Sequence, residues 1–158
     1  MPLSGQNLDA TAELMKNLTE APGPSGFEEA VREIVVREFE ELGLDVQFDG
    51  LGSVLANGGY AVGGPRVMVT AHLDEVGLMV QHITPDGFLR VKTLGGWLRQ
   101  ALPDQRWTIL GRQGPVMGVS GIRTIHVTPG SQRDRVWSLE ETFLDLGATS
   151  AAEGEAMG

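Results

Sequence analysis

The run Arg66-Val67-Met68-Val69-Thr70-Ala71 leads directly into His72-Leu73-Asp74-Glu75, and no other stretch of the chain constrains the fold as strongly. It is apolar on both faces. Such a run predicts a strand buried inside a sheet that helices cover on each side, which places the chain in the α/β class. Two helices precede it. Leu8, Ala12, Met15 and Leu18 recur at helical spacing, so residues 7 to 20 read as one amphipathic helix, ended by Pro22-Gly23-Pro24. Ser25 then opens a second helix. Ser25 and Glu28 have the spacing of a capping box, and Phe27, Ala30, Val31, Ile34, Val35, Phe39 and Leu42 form one apolar stripe that stops at Gly43, a left-handed cap. A hairpin signal, 45 to 49 and 53 to 56, surrounds Gly50-Leu51-Gly52. Those two glycines read as a turn and not as a phosphate loop, because no helix with the required follow-on begins there.

From Val76 onward the pattern changes. Segments 76 to 84, 88 to 93, 105 to 111, 115 to 120 and 122 to 127 are short and rich in Val, Ile and Thr. Pro85-Asp86-Gly87, Gly95-Gly96, Gly111 and Gly121 separate them. Strands at this spacing predict a small barrel or sandwich. Residues 138 to 141 read as a helical turn, 143 to 146 as a strand and 150 to 157 as a last helix. Charge changes at the same place. Residues 1 to 60 carry 11 acidic and 3 basic side chains, residues 61 to 136 carry 5 and 9, and residues 137 to 158 carry 5 and none.

Composition removes several functional classes. A net charge of -9 disfavours nucleic acid and anionic membrane surfaces as the main partner. The absence of cysteine excludes disulfide scaffolds, thiolate metal sites and cysteine nucleophiles. No apolar stretch is long enough for a bilayer span, and the first residues lack the basic and apolar regions of a secretory signal, so the expected compartment is the cytoplasm.

One cluster combines suitable chemistry with a suitable place. In open α/β sheets ligands gather beyond the carboxyl ends of the strands, where His72-Leu73-Asp74-Glu75 falls. A neutral imidazole suits zinc, cobalt or a similar metal, and a carboxylate two residues away can take the other ring N–H, fixing the tautomer. A strand-end histidine held by a carboxylate for structural reasons would show the same tripeptide.

The wider string bears on that choice. Gly23-Pro24-Ser25-Gly26-Phe27-Glu28, Asp49-Gly50-Leu51-Gly52-Ser53, 71 to 80 around His72 and Asp74, Asp86-Gly87-Phe88 and Leu94-Gly95-Gly96-Trp97 occur in that order. With Gly118-Val119, Ile125-His126 and Asp145-Leu146-Gly147-Ala148, they span nearly the whole chain. The sequence resembles the first half of the glutamyl aminopeptidase and tetrahedral aminopeptidase family, cytoplasmic dinuclear metallopeptidases of which some carry an endoglucanase label. The resemblance implies an α/β/α sandwich catalytic domain, interrupted by a β-rich, barrel-like domain that builds dimers and, in many members, a dodecamer. Residues 1–75 would be the N-terminal part of the catalytic domain and 76–158 the oligomerisation insert. It further implies peptide substrates and two divalent metal ions, zinc or cobalt, that activate water to remove N-terminal residues. By motif match His72 would be a metal ligand and Asp74 the carboxylate orienting it. The family's remaining ligands and its general base lie after the insert, and none can be assigned within these residues. The chain is therefore expected to be inactive without the C-terminal half of the catalytic domain. The alternative is a non-catalytic assembly or binding module that keeps the oligomerisation domain.

Other candidates receive structural readings. Glu75 reads as a hydrogen-bond acceptor at the strand end, and His82 and His126 as packed or hydrogen-bonded side chains, since no cluster accompanies them. Trp97, Trp107 and Trp137 read as anchors and not as a sugar platform. Glu40-Glu41 and Glu140-Glu141 are adjacent, so their side chains diverge and make no glycosidase pair.

Overall fold

The computed structural model describes residues 10–59 and 63–158, so Leu8 and the start of the expected first helix lie outside the described residues. The chain divides between Glu75 and Val76 into two compact units.

The first unit contains α1 (Ala10–Glu20), α2 (Glu29–Glu41), β1 (Asp45–Phe48) and β2 (Val54–Asn57). On α2 the stripe seats Val31, the one buried hydrophobic side chain among the described residues of this unit, while Phe27 and Leu42 at its ends stay exposed. The helix ends as its glycine requires. Leu44 N–H reaches Phe39 O (3.0 Å) and Gly43 N–H reaches Glu40 O (2.9 Å), with Gly43 at φ 72°, a Schellman closure. Its start differs from the capping-box expectation. The N-cap is Glu28 with no side-chain cap, and Glu28 Oε1 instead accepts from Gly26 N–H (2.6 Å). The Ser25 hydroxyl is engaged elsewhere. β1 and β2 pair antiparallel from Asp45↔Asn57 to Phe48↔Val54. Asp49 Oδ1 closes their turn by accepting from Leu51 and Ser53 N–H, each 2.8 Å.

The apolar run before His72 corrects the sequence reading. Residues 65–74 form no strand, and Val67, Met68 and Val69 are 78, 85 and 90% exposed. The reason is pairing. A strand needs a neighbour for its N–H and C=O groups, and among the described residues the nearest β-bridge is an isolated parallel one, Pro24↔Glu75, just past the end of this stretch.

The second unit is a five-stranded antiparallel sheet in the order β3-β4-β7-β6-β5, comprising β3 (Gly77–Ile83), β4 (Leu89–Leu94), β5 (Arg106–Gly111), β6 (Gly114–Gly121) and β7 (Phe143–Asp145). Helix α3 (Ala151–Ala156) follows, capped by Ser150 Oγ, which accepts from Glu153 N–H (3.2 Å). Leu89, Val91 and Leu144 form the core, with Leu78, Ile83, Trp107, Ile109, Leu139 and Leu146 against it. Gly87, at φ 87°, lets the β3–β4 turn approach the backbone before α3. A Cβ there would stand 2.6 Å from Ala148 O. The expected strand at 122–127 is instead a 3₁₀ turn, Ile125–Val127, with Ile125 and Val127 exposed. Among the described residues no strand pairs with it.

Near the 3₁₀ turn Leu139–Glu141, Arg135 donates to Glu141 from both terminal guanidinium nitrogens, and Ser138 N–H donates to Glu141 Oε2 (3.1 Å). Arg135, then the Ser138 backbone, pull the Glu141 carboxyl from 4.5 to about 2. A depressed folded pKa contributes stability that is fully present above pH 4.5 and is lost as pH falls toward 2. Acid titration of unfolding should therefore show wild type losing stability over that window, with Glu141→Gln flattening the loss. Superimposable acid profiles would show that the pair contributes nothing.

Candidate active site

The site grows from one crossing inside the first unit. Glu75 N–H donates to Gly23 O (2.8 Å), and Gly23 N–H donates to Glu75 Oε1 (3.1 Å). These two bonds bring the 23–25 loop beside 74–75. Glycine at 23 is required by close approach, since a Cβ would meet Val31 Cγ2 at 2.7 Å. Glu75 Oε1 thus accepts a backbone N–H, although no strand ends at this point.

The crossing places Ser25 against Asp74. The Ser25 hydroxyl donates to Asp74 Oδ2, while His72 Nδ1 stands 3.0 Å from Asp74 Oδ1 and 2.8 Å from Asp74 O. Two oxygens face Nδ1, and neither can donate. Nδ1 must therefore carry the hydrogen, which leaves the lone pair of the neutral ring on Nε2. The imidazole is 85% exposed and Asp74 41%, so Nε2 is open to an incoming ligand. The Asp74 carboxyl lies below its ordinary pKa, first because of the Ser25 hydrogen bond and also because of His72. A cleft of about 240 Å³ adjoins it, lined by Leu18, Thr19, Ala21, Val31, Leu73, Asp74 and Glu75.

The arrangement offers one oriented imidazole donor with a charged carboxylate behind it. Among the described residues no group of three or more His, Asp or Glu side chains is placed to hold a metal ion. The donor chemistry suits a divalent ion, and it supplies one position of a coordination shell.

The other candidates stay apart. His82 and His126 are exposed and not packed as expected. A bulge between Val80 and His82 breaks the alternation that would group His82 with Leu78 and Val80. Trp97 donates from Nε1 to Gly77 O (3.0 Å) and packs against Trp107 at a tilt of 57° with centroids 5.4 Å apart, and Trp137 lies under Arg135 at 4.8 Å. These are anchoring contacts. Ser25 is the residue that sequence reasoning assigned elsewhere. Its contact spans 49 positions, and the local signal, a hydroxyl three residues before a glutamate, pointed to a helix cap.

Comparison with known proteins completes the description. The family model described as M42 glutamyl aminopeptidase matches residues 52–158, and a model described as AMPT matches 9–34. The chain is 38% identical over 149 residues to the lysyl aminopeptidase of Pyrococcus furiosus, covering 92% of this chain and 42% of that protein. Among solved structures, the TET aminopeptidase of a marine-sediment Thaumarchaeota archaeon superposes with a TM-score of 0.88 at 39% identity, over 95% of this chain and 42% of that one. The TET1 peptidase of Pyrococcus horikoshii, which assembles into a tetrahedron or a large octahedral shell, gives 0.81 at 30% identity, over 92% and 43%. The chain spans about two fifths of the length of the curated relatives it matches.

Proposed function

As the chain belongs to the M42 glutamyl aminopeptidase family, we propose that it contributes the first part of a metal-dependent aminopeptidase that removes N-terminal residues from peptides. The fold it shares with the TET aminopeptidases supplies the frame, an α/β/α catalytic domain interrupted by a β-rich domain. In this reading residues up to Glu75 belong to the catalytic domain and those from Val76 to the inserted oligomerisation domain.

The observation that carries the proposal is the state of His72, whose Nδ1 is committed to Asp74 while Nε2 is exposed. His72 is the metal ligand. Asp74 fixes its tautomer and, as an anion, makes Nε2 a stronger donor. The complete site takes two divalent ions, zinc or cobalt by donor chemistry. Bound there, they would polarise the scissile carbonyl and lower the pKa of water. The remaining ligands and the general base come from the part of the catalytic domain that this chain does not span. The exposed Val67, Met68 and Val69 belong against strands of that part. The enzyme is read as a cytoplasmic homo-oligomer, and the assemblies of the Pyrococcus horikoshii relative support the oligomer. A second reading is an assembly module without chemistry, built on the β-rich unit, which has its own core of Leu89, Val91 and Leu144.

Complementation separates the two. The purified chain with zinc or cobalt should release nothing from amino-acyl arylamides. Co-expressed with the C-terminal segment of the Pyrococcus furiosus lysyl aminopeptidase, it should gain turnover that a chelator abolishes and N-acetylation of the substrate blocks. Chelator-sensitive turnover by the chain alone would overturn the incompleteness. A folded but inert complemented complex would favour the assembly module.

A further inference from the structure

We propose that Ser25 is a positioning residue for the metal site: by donating to Asp74 Oδ2 it turns Asp74 Oδ1 onto His72 Nδ1 and so holds the imidazole with Nε2 free. The inference rests on the reading of His72 as a ligand and extends it by one hydrogen bond.

The carboxylate by itself does not fix the ring. An Asp χ2 torsion is broad and two-fold, so an exposed carboxylate can rotate away from a neighbour without steric cost. Asp74 is 41% exposed, and solvent competes for both of its oxygens. A donor on Oδ2 removes that freedom, because only one rotation about χ2 serves Ser25 and His72 together. The donor is itself fixed. The paired bonds between Gly23 and Glu75 clamp the loop to the segment carrying Asp74, two residues from Ser25 and one from Asp74. The hydroxyl has no competing duty at the helix start, where α2 begins at Glu29 and Glu28 Oε1 takes the Gly26 N–H. Ser25 donates to a charged acceptor, and charge-assisted bonds of this kind are about twice as strong as neutral ones.

The consequence is a tautomer. An unrestrained neutral imidazole prefers its hydrogen on Nε2, the atom a ligand must leave bare, and the Asp74 contact reverses that preference. With the carboxylate loosened, only the Asp74 backbone oxygen at 2.8 Å still favours the Nδ1–H form.

The test uses the full chain carrying ¹⁵N-labelled histidine at about pH 8. Long-range ¹H–¹⁵N spectra report the tautomer directly, with the His72 signals identified by their loss in His72→Ala. Wild type should show His72 as Nδ1–H. Ser25→Ala should shift it toward a mixture and weaken zinc binding, followed at Nε2, by roughly three- to tenfold, at or below the low end for a ligand's direct outer partner. Ser25→Thr, which keeps the hydroxyl, should restore both. If Ser25→Ala loses the fold, Ser25→Cys, near in shape and weak as a donor, makes the same comparison. An unchanged tautomer with unchanged zinc affinity in the folded variant overturns the proposal. A shifted tautomer in a chain whose His72 Nε2 never responds to zinc would uphold the positioning and overturn the ligand reading beneath it.

Discussion

Replacing His72 with alanine is expected to weaken zinc or cobalt binding by the complemented enzyme by more than about a hundredfold, because losing only a ligand's outer partner already costs 10- to 100-fold. Turnover should fall with it. The imidazole is the one oriented nitrogen donor among the described residues of this unit, with its Nδ1 satisfied twice and its Nε2 exposed. Asp74→Asn keeps the shape and removes the charge, so it should fall inside the 10- to 100-fold range. His82→Ala and His126→Ala serve as controls, since both histidines are exposed and lie in the β-rich unit. Metal bound per complex and initial rates on an amino-acyl arylamide would be measured together. Retention of metal and rate by His72→Ala would sink the assignment, and a loss shared equally by the two controls would point to general destabilisation instead.

Leu144→Ala should cost the β-rich unit about 3 kcal/mol, within the usual span for a buried leucine. Leu144 is 2% exposed and stands on β7 between β4 and β6, in register with Leu89 on one side and Ser120 on the other. Deleting its side chain opens a cavity where the two halves of the sheet meet. Neighbours cannot easily collapse into it, because β7 is only three residues long and is paired along both edges. For a unit of this size the midpoint of thermal unfolding should drop by roughly 12–24 °C. Met117→Ala, on the exposed face of β6, should stay within about 0.5 kcal/mol. Equal losses for the two variants would mean that the core is not centred on β7.

Both expectations rest on features that were unequally legible in the sequence. The apolar stripe of α2 and its terminal Gly43 could be read because helix period and a left-handed cap depend on residues within one or two turns of each other. The hairpin of β3 and β4 was equally readable from alternation around Pro85-Asp86-Gly87, whose turn Gly87 N–H closes onto Thr84 O at 2.9 Å. The approach of His72 to Asp74 was readable for the same reason, since only Leu73 separates them. The fate of 66–71 was not. Apolarity on both faces says that a segment prefers burial, and it does not say that a neighbouring strand is available. The 3₁₀ turn at Ile125–Val127 failed the strand reading on the same ground, because β propensity becomes a strand only where a partner edge exists. Ser25 was misplaced because a hydroxyl near a helix start and a hydroxyl aimed at a distant carboxylate share one local pattern.

The sequence by itself determined the local elements, the glycine turns and the pairing of an imidazole with its carboxylate, all interactions between residues close along the chain. Only the tertiary structure decided that β7 enters the sheet between β4 and β6, and that the Gly23–Glu75 clamp delivers Ser25 to Asp74 across 49 positions. Every backbone presents the same donors and acceptors, so any two segments could pair. The choice among them is made by which side chains become buried and satisfied when they do.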